Sequence, residues 1–80
     1  MKINTYYYAT FQEKTKKTDE VIETSANNIR ELYEELTEKY KFELTLDEII
    51  VSVNDENQYN LDYVVKDNDT IVFLHPMSGG

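Results

Sequence analysis

The chain has 80 residues and no cysteine, which suffices for one small domain and excludes disulfide bonds and thiolate metal ligands. Sixteen acidic and eight basic side chains give a net charge of −8, which disfavours nucleic acid or anionic lipid as a ligand. The acidity favours a basic protein partner, although it also serves solubility alone. A single histidine cannot assemble a zinc site, so no metal is expected. No stretch resembles a signal peptide or a membrane span, so we expect a cytoplasmic protein without membrane contact.

Two strands are predicted at the start of the sequence. Residues Lys2 to Ala9 are rich in β-forming side chains, so they predict a first strand whose aromatic residues pack in the core or across strands. Residues Thr10 to Lys17 are polar around Phe11 and are compatible with a short helical turn. Residues Asp19 to Thr24 then predict a second strand.

An amphipathic helix is predicted next. Asn28 is a suitable N-cap, and Glu31 follows three residues later in a variant of the capping box. Apolar side chains recur at helical spacing, while charged side chains fill the opposite side. The apolar positions are Ile29, Leu32, Tyr33, Leu36 and Tyr40. We therefore expect one main helix on a sheet, with its glutamate-rich outer face in solvent or against a partner.

The second half of the chain predicts two further strands. The apolar run from Ile49 to Val53 predicts a strand in the centre of the sheet, closed by the turn-forming residues Asn54 to Asn57. A weaker segment, Tyr59 to Val65, leads to a tight turn in which Asn68 can take the left-handed conformation. Residues Thr70 to His75 are almost continuously apolar and predict the last strand, covered by the helix on one face.

The order of these elements predicts an α+β domain with a mixed sheet of about five strands. Strands before and after one helix can pair side by side when the helix crosses over the sheet, which is the β-grasp arrangement of ubiquitin-like proteins. We place the folded domain at residues 1–75 and a flexible tail at residues 76–80.

The tail is the chemically informative segment. It consists of Pro76, Met77, Ser78, Gly79 and Gly80. Pro76 lacks the backbone donor that would extend a strand, and terminal glycines allow an arm to enter a narrow channel. Gly-Gly by itself is a weak motif that also occurs at frayed ends. Its place directly after an apolar strand and a proline is the one that a presented tail requires.

The segment from Asp67 to Gly80 resembles the end of the small subunits of molybdopterin synthase, the MoaD family of ubiquitin-like sulfur carriers. Those chains typically show Asp-Gly-Asp, an apolar strand, Pro-Pro, an apolar residue, a small residue and Gly-Gly. Residues Tyr7 to Glu13 are similar to their Phe-Ala-x-x-Arg-Glu segment. The sequence departs from the family pattern at Gln12, Asn68 and His75, where arginine, glycine and proline are usual.

The resemblance implies a non-catalytic carrier subunit in a sulfurtransferase complex. An adenylating enzyme would use ATP to activate the carboxylate of Gly80, and sulfur would replace AMP to give a thiocarboxylate. The large synthase subunit would admit the tail, presented by Pro76, Met77, Ser78 and Gly79, so that sulfur passes to a pterin precursor of the molybdenum cofactor. No cofactor would be bound permanently, and the family would imply a heterotetramer built on a dimer of large subunits.

The predicted docking edge lies near the tail, with Phe73, His75 and Met77 as partner-binding residues. Core packing explains Phe73 equally well. His75 can change charge near neutral pH, but no serine, cysteine or second histidine at usable spacing completes a nucleophilic set. Other functions stay open: a thiamine-pathway sulfur carrier, a ubiquitin-like modifier of lysines, or an interaction domain with an incidental tail. Length and the Pro-Met-Ser-Gly-Gly end favour the molybdopterin branch.

Overall fold

The computed structural model of the protein describes residues 1–76, and its elements follow the predicted order. The elements are β1 (Lys2–Tyr7), α1 (Thr10–Thr15), β2 (Asp19–Glu23), α2 (Ile29–Tyr40), a 3₁₀ turn (Leu46–Glu48), β3 (Ile50–Val53), β4 (Glu56–Asn57) and β5 (Thr70–Leu74). The 3₁₀ turn and the two-residue strand β4 are additions to the prediction.

Within residues 1–76, five strands form one mixed sheet in the order β2-β1-β5-β3-β4. Strands β1 and β5 pair in parallel, so that Tyr7 lies beside Phe73. This pairing requires the intervening chain, including α2, to cross back over the sheet. The other neighbouring strands are antiparallel. The predicted β-grasp arrangement is therefore confirmed.

The central strand is β5, and the prediction that the run Ile49 to Val53 lies in the centre was wrong. Strand β3 pairs with β5 on one side and with the short β4 near the edge on the other. Its apolar run reflects burial, since Val51 and Val53 are buried under the helix layer. Burial of a strand does not by itself give its position in the sheet order.

Helix α2 supplies much of the core. The fully or almost fully buried members of its predicted stripe are Ile29, Leu32, Tyr33 and Leu36. Each such side chain contributes about 1.5–3 kcal/mol relative to an exposed one, whereas Tyr40 at the C-terminal end is only partly buried. The side chain of Asn28 accepts a hydrogen bond from the Glu31 N–H at 2.9 Å, which confirms the predicted cap. The Glu31 carboxylate bonds to the N–H of Asn27 instead of Asn28, so the capping box is displaced by one residue.

Residues with positive φ end several elements. Asn68 has a φ of 71°, as predicted for its turn. Asn54 and Asp55 have φ values of 51° and 75° and form the two-residue hairpin turn between β3 and β4. Ala9 has a φ of 51°, so the first strand stops at Tyr7, earlier than predicted.

The segment Tyr59 to Val65 forms an irregular connection with a single β-bridge at Val64. Polar side chains satisfy nearby backbone donors here: Gln58, just before the segment, accepts from the N–H of Asn60, and Asn60 accepts from the N–H of Asp62. Local bonds of this kind compete with a strand ladder, which explains the irregular backbone of this segment.

An aromatic cluster packs between α2 and the end of β5. The Phe73 ring lies 5.2 Å from that of Tyr33 and 6.1 Å from that of Phe11, measured between centroids. Phe42 lies 4.9 Å from Phe11 in an edge-to-face arrangement. Such pairs contribute about 0.5–1.5 kcal/mol beyond area burial. The cluster therefore fixes β5 close to the point where the tail begins.

Candidate functional site

The predicted reactive tail starts at the central strand of the sheet. Strand β5 ends at Leu74, and both His75 and Pro76 are exposed. Residues Met77, Ser78, Gly79 and Gly80 lie outside the described residues, so the roles assigned to them and the tail at 76–80 stay predictions. The structure shows the surface from which this segment departs.

The base of the tail is held on both sides. Leu74 pairs with Ile50 of β3, while Phe73 lies between Tyr7 of β1 and Val51 of β3. Moving the end of β5 would break its backbone pairing with both β1 and β3, so the base of the tail is held rigidly in the sheet. The six residues beyond Leu74 can reach at most about 20 Å from it when extended.

Phe73 is not available for docking, and its prediction as a partner-binding residue was wrong. Its side chain is fully buried and packs in the aromatic cluster, which is the core role that the sequence also allowed. Alternate side chains along a strand point to opposite faces of the sheet, and Phe73 points toward α2. His75 is exposed at the base of the tail, and Met77 lies outside the described residues.

The face of the sheet opposite α2 carries a patch of exposed and partly exposed side chains that we call the open face. It comprises Tyr6, Tyr8, Ile50, Val72 and Leu74. Tyr6 and Tyr8 are 43% and 53% exposed, and Val72 lies opposite Tyr6 in the β1–β5 register. Leu74 follows on the same face of β5, with Ile50 as its partner on β3. The patch therefore extends to the base of the tail.

The open face contains a depression of about 400 Å³. It is lined by Tyr6, Tyr8, Asn54, Asp55, Thr70 and Val72. The site was not predicted, because the aromatic residues of the first strand were assigned to core or cross-strand packing, and of the three tyrosines only Tyr7 is buried in the core. Strict alternation of three consecutive tyrosines across two faces was the signal that could have revealed it. A tyrosine offers an apolar ring and a polar tip, which suits contact with a protein.

A buried carboxylate ties the start of β5 to the β3–β4 hairpin. Asp69 accepts hydrogen bonds from the Asn54 side chain at 3.0 Å, the Tyr63 hydroxyl at 3.1 Å and the Lys66 N–H at 2.9 Å. Burial by itself would raise the pKa of Asp69, but these bonds outweigh it and lower the pKa of the carboxyl. Asn54 also accepts a bond from the N–H of Thr70. The turn that borders the depression is thereby fixed to the strand that leads to the tail.

A second carboxylate braces β1 and β2 against the end of α2. Glu20 accepts hydrogen bonds from the hydroxyls of Tyr7 at 2.6 Å and Tyr40 at 2.7 Å, and from Lys17 Nζ at 2.9 Å. Burial opposes ionisation of Glu20, but these donors outweigh it and lower its pKa. Burial, followed by the bond to Glu20, raises the pKa of Tyr7 well above its usual value. The bonds of Glu20 are made to the fold itself, so the network supports the site structurally.

The described part of the chain presents a partly apolar surface next to the base of the predicted tail. Within residues 1–76, no three histidine, aspartate or glutamate side chains converge as metal ligands. No helix in the same range has the length and apolar character needed to cross a membrane.

Comparison with known families gives a match along nearly the whole sequence. The sequence profile of the ThiS family matches residues 5–80. No protein with a curated description matches the sequence significantly. The matched range includes both the open face and the predicted tail.

Solved structures share the fold over almost their full length. A chain of the protein–protein complex of subunits 1 and 2 of molybdopterin-converting factor from Helicobacter pylori is 29% identical, with a TM-score of 0.70 and 100% of each chain covered. The putative molybdopterin converting factor subunit 1 from Pyrococcus furiosus is 27% identical, with a TM-score of 0.76 over 94% of this chain and 97% of that chain. SAMP1 from Haloferax volcanii has a TM-score of 0.80 over 100% of both chains at 16% identity, a likeness of fold alone.

Proposed function

Because the chain belongs to the ThiS family of ubiquitin-like sulfur carriers, we propose that it is the sulfur-carrier subunit of a molybdopterin synthase, acting in the cytoplasm. The observation that carries the proposal is the family match through Gly80, in a chain whose central strand leads directly to that end. The relatives at 27% and 29% identity are both described as molybdopterin-converting factor chains. They favour this pathway over a thiamine-pathway carrier.

In the proposed reaction the carboxylate of Gly80 is the reacting group. A carboxylate is a poor electrophile, so an activating enzyme joins it to AMP, consuming ATP and releasing pyrophosphate. Sulfide-level sulfur from a donor attacks the acyl carbon, the bond to AMP breaks, and a thiocarboxylate remains. Its sulfur then forms a bond to a carbon of the pterin precursor while a carbon–oxygen bond of the precursor breaks. Water cleaves the bond between the acyl carbon and sulfur, which leaves sulfur on the product and regenerates the carboxylate.

We propose that the large synthase subunit docks on the open face, with the activating enzyme as a second partner. The complex of subunits 1 and 2 described for the Helicobacter relative supports a partner of this kind. The open face borders the base of the tail at Leu74, so a partner held there would receive the tail within its reach of about 20 Å. The net charge of −8 favours a basic contact region on that partner.

Intact-mass measurement of protein purified from its native host tests the proposal. We expect one oxygen of the terminal carboxylate to be replaced by sulfur. Deletion of Gly80 should abolish this replacement and the transfer of sulfur to the precursor, while the circular dichroism spectrum stays unchanged, because Gly80 follows the last strand, which ends at Leu74. Glu56→Gln, an exposed change on β4, should leave both activities intact and serves as the control.

Other outcomes separate the competing functions. Isopeptide adducts on lysines of other proteins would identify a modifier, and sulfur transfer by the variant lacking Gly80 would refute the carrier function. Co-purification with a large synthase subunit, and not with a thiazole-forming enzyme, is the result expected for the molybdopterin pathway.

A further inference from the structure

A second groove lies on the helix side of the sheet, opposite the open face. This helix groove has a volume of about 430 Å³ and runs between α2 and the loop that follows it. Its apolar floor contains Tyr33, Phe42 and Leu46, and its rim contains Glu34, Glu38 and Glu43. The apolar floor favours an apolar side chain in the groove, and the acidic rim favours positive charges beside it.

The floor of the helix groove is preformed. The Tyr33 hydroxyl donates a hydrogen bond to the Leu44 carbonyl at 2.7 Å, which ties α2 to the loop. The Tyr33 and Phe42 rings stack with centroids 5.6 Å apart. Beyond them, the N–H of Thr45 bonds to the Glu48 carboxylate and fixes the start of the 3₁₀ turn. A groove fixed in this way binds with little loss of conformational entropy.

The rim carboxylates of α2 are not used by the fold, unlike their neighbours on the same helix. Glu31 accepts a bond from a backbone N–H ahead of α2, and Glu35 accepts one from the Thr24 hydroxyl. Glu34 and Glu38 make no ion pair and no side-chain hydrogen bond with any other residue of the described range. Because they are four residues apart, they lie on one side of the helix and repel each other. A cation placed between them would be stabilised.

We infer that the helix groove binds a basic segment of a partner protein, which inserts one bulky apolar side chain flanked by lysine or arginine. The apolar floor accepts the inserted side chain, and the rim pairs with the flanking cations. In the described part of the chain, Lys14 is the one cation paired with the rim, at 3.6 Å from the mostly exposed Glu43. An exposed pair at this distance is weak and leaves the rim open to a ligand.

The position of the helix groove gives this inference a consequence for assembly. The groove and the open face lie on opposite sides of the sheet, so two partners can bind at the same time. Tyr33 lines the groove and also packs against Phe73, which places the groove behind the strand that leads to the tail. The inference goes beyond the proposed sulfur-carrier function, because it uses no residue of the tail or of the open face.

The test uses the full chain and a synthetic peptide with one phenylalanine between two pairs of lysines, followed by NMR amide shifts. We expect shifts at Glu34, Glu38 and residues 42–46, and none at Tyr6 or Val72. A peptide with glycine in place of phenylalanine should bind more than about tenfold more weakly, because the apolar floor is then unfilled. Replacing the lysines by glutamates should abolish binding.

Matched variants separate the groove from general charge. Glu34→Gln combined with Glu38→Gln should weaken peptide binding about tenfold, which corresponds to about 1.4 kcal/mol. Asp19→Asn combined with Glu56→Gln also removes two negative charges, but from exposed positions on the edge strands. This pair should weaken peptide binding no more than about twofold. Equal weakening by both pairs, shifts confined to the open face, or no binding by the unaltered chain would overturn the inference.

Discussion

Three consecutive tyrosines differ in burial because they lie on opposite faces of the sheet. Tyr7 points toward α2 and is 1% exposed, whereas Tyr6 and Tyr8 point to the open face and are 43% and 53% exposed. On β5 the same alternation separates the buried Phe73 from the partly exposed Val72. Neighbours of one residue type thus take opposite roles, because only one face of the sheet is covered by the helix. The face on which a side chain lies, more than its type, decides its role here.

The largest expected difference between the faces comes from truncating the two side chains of β5. Phe73→Ala removes a fully buried ring and should lower the free energy of unfolding by about 3–5 kcal/mol. Val72→Ala, on the other face of the same strand, should lower it by about 1 kcal/mol or less. Urea unfolding followed by circular dichroism measures both. Equal losses would mean that the open face is as tightly packed as the covered one.

The next effect concerns the carboxylate networks that hold the sheet. The pKa values of Glu20 and Asp69 are lowered from ordinary values of 4.5 and 3.8, so the unfolded chain binds these protons more tightly. Their contribution to stability is complete above those values and is lost as the pH falls below them. We expect thermal unfolding temperatures to decline as the pH drops below about 4.5.

Substitution of Asp69 separates this decline from general acid effects. Asp69→Asn should lower the free energy of unfolding at neutral pH by about 1–3 kcal/mol, because its three donors lose a charged acceptor, and should flatten the acid decline. Asp62→Asn, which removes an exposed carboxylate 3.5 Å from Arg30, should change neither. An unchanged acid profile in the Asp69 variant would contradict the role given to this network.

A smaller effect distinguishes the tyrosines themselves. Tyr7→Phe removes one donor to Glu20 and should lower the free energy of unfolding by about 1 kcal/mol, whereas Tyr6→Phe should leave it unchanged. The raised pKa of Tyr7 also means that its contribution is present below pH 10.0 and is lost as the pH rises further. The alkaline loss should therefore be smaller in Tyr7→Phe than in the unaltered protein. Burial also raises the pKa of Tyr33, and the hydrogen bond to Glu20 raises the pKa of Lys17, so both groups contribute to the loss that remains.

The smallest expected effect lies where the chain leaves the open face and enters α1. Ala9 has φ 51° and ψ −123°, a conformation that favours glycine. Ala9→Gly should therefore raise the free energy of unfolding by about 0.5–1 kcal/mol, measured by urea unfolding. Ala26→Gly, at a buried position with no positive φ, should lower it instead. Destabilisation by both changes would show that Ala9 carries no strain.

The parts of the fold with local signals were predictable from the sequence. The cap at Asn28, the stripe of α2 and the turn at Asn68 each depend on residues a few positions apart. The central place of β5 depends on the pairing of Tyr7 with Phe73, which are far apart in sequence, and no local pattern encodes it. Strand β3, which was predicted in the centre, is as apolar as β5, so composition could not show which of the two strands is central.

In the candidate site, too, the part with a local sequence signal was predicted and the part that depends on the folded sheet was not. The tail was recognised from the order of residues Pro76 to Gly80, which needs no folded context. The part of the open face on β5 was not predicted, because β5 is apolar on both faces and its pattern gives no contrast between Val72 and Phe73. Only the placement of α2 against one side of the sheet shows which of them a partner can touch.

The central position of β5 makes the base of the tail a product of completed folding. In the described residues, the β1–β2 and β3–β4 hairpins share no ladder with each other and are joined through β5. Before that strand inserts, they are two separate ribbons, each marginally stable at best. A partner that recognised the surface around the end of β5 would therefore bind only folded molecules, and would not bind unfolded copies that carry the same final residues.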